Sequence, residues 1–199
     1  MLKRGFDVVV CAAGVVLLAP VLLAIAVWIK LDSPGPVLFR QQRVGRHGAL
    51  FWIHKFRTMG VDAAQRGAPL TVGDDPRITR AGRHLRRTKL DELPQLFDVL
   101  AGTMSLVGPR PEVPRYVALY PHALRQKILS VRPGITDLAS IEFRDEGALL
   151  ARSDDPERTY VEQILPAKLD LSARYVDQMS VLGDLRVIGA TLRSLWGHG

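Results

Sequence analysis

Between Val8 and Ile29 the chain runs for 22 residues without a charge. That exceeds the length of about 18 apolar residues at which a membrane helix becomes the default reading. It constrains the fold more than any other feature, because a backbone in lipid must satisfy its own hydrogen bonds, and one segment does so only as a helix. The run is long for a secretory leader, and no small-x-small cleavage site precedes Lys30, which argues against a cleaved signal. Pro20 sits near its middle, where it removes a backbone hydrogen bond and favours a kink. Lys3 and Arg4 precede the run, and Lys30, Arg40 and Arg43 follow it, so the positive-inside rule gives no asymmetry. Two topologies stay open: a kinked helix that crosses, and a re-entrant helix that breaks at Pro20 and leaves by the side it entered.

The remaining sequence suits one domain, with 199 residues in all. A net charge of +7 favours an anionic partner, whether membrane surface, nucleic acid or phosphorylated substrate. The single cysteine, Cys11, lies in the apolar run, which excludes a disulfide framework and a cysteine-based zinc site. The five histidines show no HExxH spacing.

The stretch from Thr88 to Gly102 holds the densest chemistry. Leu93, Leu96, Phe97 and Leu100 recur at helical period, and Gly102 suits the left-handed residue that ends a helix. The start has two readings. Thr88 with Asp91 forms a capping box, or Asp91 is the N-cap with Pro94 in the first turn. Both place Asp91 and Glu92 where free N–H groups favour negative charge. An acidic pair at a helix start is ordinarily structural. Here a basic segment precedes it (Arg77, Arg80, Arg83, Arg86, Arg87, Lys89), and Arg110 follows between two prolines. A guanidinium on so stiff a backbone suits bidentate phosphate binding. The combination points to phosphoryl chemistry with a divalent cation.

Elsewhere, Val37–Arg43 and Leu50–Arg57 read as two strands around Val44-Gly45-Arg46-His47-Gly48, a hairpin or an interfacial loop pair. Alternation puts Lys55 and Arg57 on one face, either phosphate-binding or merely solvated. Residues 60–76 read as a mobile surface loop. Arg80, Arg83 and Arg87 form a basic helix stripe, for lipid headgroups or for the acidic pair. Residues 113–130 read as helix interrupted at Pro121, and Arg132 to Thr136 as a second stiff turn. Residues 145–157 read as an acidic loop, and the chain from Glu157 onward as helix. The last segment pairs an apolar face with Arg186 and Arg193 and ends at Trp196, which fits a membrane interface or core packing equally.

The chain resembles the bacterial sugar transferases in their minimal form, the monotopic phosphoglycosyl transferases. The resemblance rests on Lys3 to Asp7, Ser33 to Phe39, Lys55-Phe56-Arg57-Thr58-Met59, Leu90-Asp91-Glu92-Leu93-Pro94-Gln95, Ser105 to Glu112, and Arg132 to Thr136, in that order. It implies transfer of a sugar 1-phosphate from a UDP-sugar to a polyprenyl (undecaprenyl) phosphate, releasing UMP. It implies Asp91 as the covalent nucleophile, Mg²⁺ held by Asp91 and Glu92, and Arg110, Lys55 and Arg86 holding phosphates or ordering the dyad. It further implies a re-entrant helix broken at Pro20, an anchor over residues 1–33, and a catalytic domain over 34–199. That domain would lie at the cytoplasmic face of the bacterial inner membrane. Two positions depart from the family's pattern: Ala19 stands where serine often precedes the proline, and Asp137 where glycine is common.

The expected fold is α/β (α+β): small, mostly helical, with a short strand or hairpin region and interfacial amphipathic helices. No GxGxxG follows a strand, so a Rossmann fold is not expected. Expected partners are the UDP-sugar, the polyprenyl phosphate and membrane lipids, with no nucleic acid, and a homodimer through an exposed apolar helix. Two other classes compete: a non-catalytic basic module that binds anionic lipid or nucleic acid, and a Mg²⁺-dependent membrane phosphatase that passes the phosphoryl group to water.

Overall fold

The computed structural model describes residues 2–63, 70–73 and 75–196, with side chains as far as Ser194. Helix α1 spans Leu2–Asp32. Pro20 lies inside it, and the helical backbone runs through without interruption, so the expected break does not end the helix. If straight it would be about 46 Å long, at 1.5 Å per residue. Asp7, Cys11, Val15, Leu18, Leu22, Ile25 and Ile29 form the inward stripe. They are spaced by threes and fours, as one continuous helical face requires. The opposite side stays open: Leu2, Val9, Val16, Leu17, Leu23 and Leu31 are each 67% exposed or more. A soluble core helix would be covered, whereas only 11% of this apolar stretch is buried. Its length and composition suffice to cross a membrane.

Strands β1 (Leu38–Val44) and β2 (Leu50–Phe56) pair antiparallel as a hairpin, Leu38 opposite Phe56 and Val44 opposite Leu50, as their alternation predicts. Two short helices flank the acidic pair, α2 (Arg80–Arg87) and α3 (Gln95–Ala101). Strand β3 (Ser105–Val107) follows, then α4 (Pro114–Val117) and α5 (His122–Ile128), divided at Pro121 as expected. Strand β4 (Gly134–Thr136) lies parallel to β3, so the segment read as a second stiff turn is a strand. The acidic loop is also corrected: α6 (Leu138–Glu142) lies just before it, α7 (Glu146–Leu150) lies within it, and α8 (Pro156–Thr159) starts at its end. A π-turn leads into α9 (Leu165–Gln178), and α10 (Val181–Trp196) ends the described chain.

Three clusters organise the packing around the dyad. Cys11, Val15 and Leu18 of α1 meet Phe51 and Ile53 of β2 and Leu96 and Val99 of α3. Leu22, Ile25 and Ile29 meet Phe56, Leu85, Leu90 and Leu93. Tyr175 and Val187 of α9 and α10 close over Val107. Phe97 departs from its predicted apolar face and is 49% exposed, while Gln95 and Asp98 are buried. Helix α10 packs through Val187, yet Leu182, Leu185 and Leu192 remain exposed. The side chains of Leu195 and Trp196, most of the 60–76 loop's centre (64–69) and Asp74 lie outside the described residues.

Candidate active site

Thr79 starts α2, its hydroxyl accepting from Gly82 N–H at 3.0 Å. Thr88 ends it, donating to the carbonyls of His84 (2.8 Å) and Leu85 (3.2 Å). Thr88 therefore closes one helix and does not open a capping box for the next. Lys89 then adopts a left-handed backbone, φ 57 and ψ 14, which turns the chain into a 3-10 turn at Leu90–Glu92. Pro94 caps α3, and Gly102, at φ 90, ends it as the sequence predicts. Asp91 is thus not an N-cap. It lies in the turn between two helices and is 7% exposed.

The two carboxylates have opposite surroundings. Lys55 on β2 donates to Glu92 Oε1 at 2.7 Å. Arg110 grips the same carboxylate with both terminal nitrogens, to Oε2 at 3.1 Å and to Oε1. Asp91 Oδ1 is buried with no hydrogen-bond partner among the described residues. Burial pushes the Asp91 carboxyl above the usual range, and the charge of Lys55 only partly offsets this. Burial acts the same way on Glu92, but Arg110 and Lys55 outweigh it and hold Glu92 well below the usual range. Burial lowers Lys55, opposed by Glu92. One acid is a locked anion; the other keeps a buried oxygen with no hydrogen-bond partner among the described residues.

Arg86 turns inward from α2. Its Nε donates to Thr58 Oγ1 (3.1 Å) and a terminal nitrogen to Thr71 Oγ1 (3.3 Å), and both acids act on it electrostatically. The stripe residues Arg80, Arg83 and Arg87 point to solvent. Arg57 does not share a phosphate-facing side with Lys55. It is 4% exposed and binds the Pro36 carbonyl, the Ser33 hydroxyl and the Ser33 carbonyl, fixing the exit from α1.

The sequence matches the family described as bacterial sugar transferase over residues 1–198. It is 37% identical to an Aeromonas hydrophila protein named UDP-N-acetylgalactosamine-undecaprenyl-phosphate N-acetylgalactosaminephosphotransferase, over 98% of this chain and 43% of that one. It is 40% identical to the exopolysaccharide production protein PSS of Rhizobium leguminosarum bv. phaseoli, over 98% of this chain and 94% of the relative. It is 36% identical to the Escherichia coli UDP-glucose:undecaprenyl-phosphate glucose-1-phosphate transferase, over 96% of this chain and 39% of that one. The chain belongs to the bacterial sugar transferase family. It spans nearly all of the Rhizobium relative and less than half of the other two.

In this bacterial sugar transferase the site has supports that sequence reasoning missed. Asp137, 1% exposed, accepts from the Arg110 backbone N–H at 3.1 Å and from Ser140 N–H at 2.7 Å. It caps α6 and fixes the Arg110 backbone together. An aspartate just before an apolar run was the available signal. Glu112 accepts from Tyr160 at 2.7 Å and Arg43 at 3.4 Å, bracing the proline-rich segment from the other side; these partners are too distant in sequence to foresee.

A hard divalent cation fits the acid pair. Mg²⁺ takes one or two protein carboxylates and fills its remaining positions with water and substrate phosphate oxygens. Asp91 Oδ1 is open, and Glu92 Oε2, with one donor recorded, keeps accepting capacity. Among the described residues no group of three or more His, Cys, Asp or Glu gathers into a closed metal cage.

Proposed function

We propose that this chain transfers a sugar 1-phosphate from a UDP-sugar to a polyprenyl (undecaprenyl) phosphate through a covalent phospho-sugar on Asp91. The observation that carries the reading is the unpartnered buried oxygen of Asp91 beside a carboxylate clamped by Lys55 and Arg110. An Asp91 oxygen attacks the β-phosphorus, a P–O bond forms, and the bond to the UMP oxygen breaks. A phosphate oxygen of the lipid then attacks the same phosphorus, and the bond to Asp91 breaks. The products are UMP and the polyprenyl diphospho-sugar. Attack by one anion on another needs cations to cancel their repulsion. Arg110, Lys55 and Arg86 supply fixed positive charge, and locking Glu92 keeps Asp91 in place. Mg²⁺, when bound at Asp91 and Glu92, would neutralise charge on the substrate phosphates and the departing UMP.

The packing of α1 supports a monotopic placement. Its inward stripe touches the domain from Asp7 to Ile29, so a crossing would carry the domain through the bilayer with it. We therefore place residues 1–33 as an anchor dipping into one leaflet and 34–199 as the catalytic domain at the cytoplasmic face. A soluble donor and a lipid phosphate can both reach a dyad held there.

UMP release from a panel of UDP-sugars tests this, with polyprenyl phosphate and Mg²⁺ in detergent. We expect release that depends on the lipid, the metal and Asp91. Release at multiple turnover without lipid would make the protein a hydrolase instead. Activity of Asp91→Asn equal to wild type would remove the covalent mechanism.

A further inference from the structure

Most cations around the dyad are already committed. Lys55 and Arg110 bind Glu92, and Arg86 spends donors on Thr58 and Thr71. Arg110 thus serves as a positioning residue for Glu92, with both terminal nitrogens engaged on that carboxylate. Among the described residues around the dyad, two cations are uncommitted. Lys89 has no ion pair within 4.0 Å among the described residues and is exposed. Its backbone is nevertheless held at φ 57, a conformation unfavourable for a residue with a Cβ and one that glycine or asparagine would hold more easily. Such local strain concentrates where a side chain has to be aimed.

Arg144 is the second. Its NH1 is buried without a hydrogen-bond partner, although a buried donor left unpaired is unfavourable. Its sequence neighbours do not neutralise it: Asp145 is exposed and Glu146 is paired with Lys168. Arg144 comes just after Phe143, the C-cap of α6, the helix whose N-cap, Asp137, also holds the Arg110 backbone. Arg144 and Arg110 are therefore mounted on one frame. Both lie within electrostatic reach of Lys89, as do Glu92 and Asp91. The dyad side of the molecule thus carries two positive charges held in no ion pair within 4.0 Å among the described residues, one a planar fork and the other a point charge.

We infer that Lys89 and Arg144 form an anion subsite beside the dyad that receives a phosphate group of a substrate. Arg144 offers parallel donors to two phosphate oxygens, and Lys89 a mobile ammonium to a third. The inference rests on the function proposed above and names which residues take the phosphate. Both the donor's diphosphate and the acceptor's phosphate monoester have the required chemistry.

The test uses the full chain in detergent and measures binding by calorimetry, in separate arms with UDP and with a short-chain polyprenyl phosphate. Lys89→Gln and Arg144→Gln are each expected to weaken one of these ligands about tenfold, with Arg144→Lys recovering part of the loss. KM for the corresponding substrate should rise in parallel. The arm that moves identifies the source of the phosphate. Affinities within twofold of wild type for both ligands, in both variants, would overturn the subsite, as would a wild type that binds neither ligand. If Arg144→Gln melts early, Lys89→Gln decides alone, since it replaces an exposed side chain. A wild type that binds both ligands but releases no UMP from any UDP-sugar refutes the proposed reaction and leaves the subsite standing.

Discussion

Asp91 and Glu92 are neighbours in sequence, yet burial raises one and two cations depress the other. The proposed nucleophile must be ionised to attack. Its activity should therefore fall as pH drops through a value above the usual aspartate range, because the folded-state pKa is raised. Lys55 lowers the Asp91 pKa, so Lys55→Met should move the acid limb of kcat/KM to higher pH, whatever it does to the rate. A limb that stays put would separate Asp91 from the acid ionisation. The same shift predicts a stability effect. A raised carboxyl favours folding only while protonated, and that contribution is lost as pH rises through the folded pKa. At pH 7 ionised Asp91 therefore opposes folding, and Asp91→Asn should melt higher, by about 2–4 °C for each kcal/mol relieved, while losing UMP release. The gain should shrink as pH falls; an equal or lower melting temperature at pH 7 would contradict it. The sequence shows these residues but not their division of labour. Arg110 between prolines reads as a phosphate ligand, and nothing local in the sequence shows that it also grips Glu92, 18 residues earlier in the chain.

The helices and strands differ in how legible they are, for physical reasons. The β1–β2 hairpin is evident because alternation and a glycine-bearing turn are local signals. β4 is not, because a three-residue strand exists only through its partner, and Arg132-Pro133-Gly134 taken alone reads as a turn. That pairing requires glycine: a Cβ on Gly134 would lie 2.1 Å from Gly108 N. α2 depends on a similar approach, since a Cβ on Gly82 would lie 2.1 Å from the Thr58 carbonyl oxygen. Gly82→Ala should push α2 off the 57–58 backbone and take Arg86 with it. We expect a loss of about 1–3 kcal/mol, typical of overpacking, and a fall in kcat of up to about 10²-fold from misplacement. Melting and UMP release measured together check this; a wild-type melting temperature would mean that the helix yields freely. Asp137→Ala removes a helix cap worth about 1 kcal/mol and frees the Arg110 backbone. Its activity loss should exceed what the small drop in melting temperature explains, and an unchanged rate would show that the Pro109–Pro111 frame holds Arg110 unaided.

At the scale of the molecule, α1 is a clamp as well as the proposed anchor. Near its start Arg4 donates to the carbonyls of Val99 (2.6 Å) and Leu100 (3.2 Å), capping the end of α3. At its other end Asp32 accepts from Ala81 N–H at 3.1 Å, beside the start of α2. The two helices that flank the dyad are therefore tied to opposite ends of one apolar helix. Lys3 adds a third tie, to Asp184 (2.5 Å) and to the Val107 carbonyl (3.0 Å). The inward stripe was invisible in the sequence because nearly every residue from Val8 to Ile29 is apolar, so no periodicity marks the packed face. Clamping of both ends has a consequence for topology. If α1 crossed the bilayer, residue 5 and the exposed surface of α7 would lie on opposite sides. If it is held along the domain, they lie on the same side. Gly5→Cys and Ala148→Cys distinguish these cases: a Cβ at Gly5 meets nothing within 4 Å, Ala148 is exposed, and native Cys11 is 0% exposed and so gives little background. A membrane-impermeant maleimide should label both positions in inside-out vesicles and neither in spheroplasts. Labelling of Gly5→Cys from outside would show that α1 crosses, and the clamp described here could then not persist in the membrane.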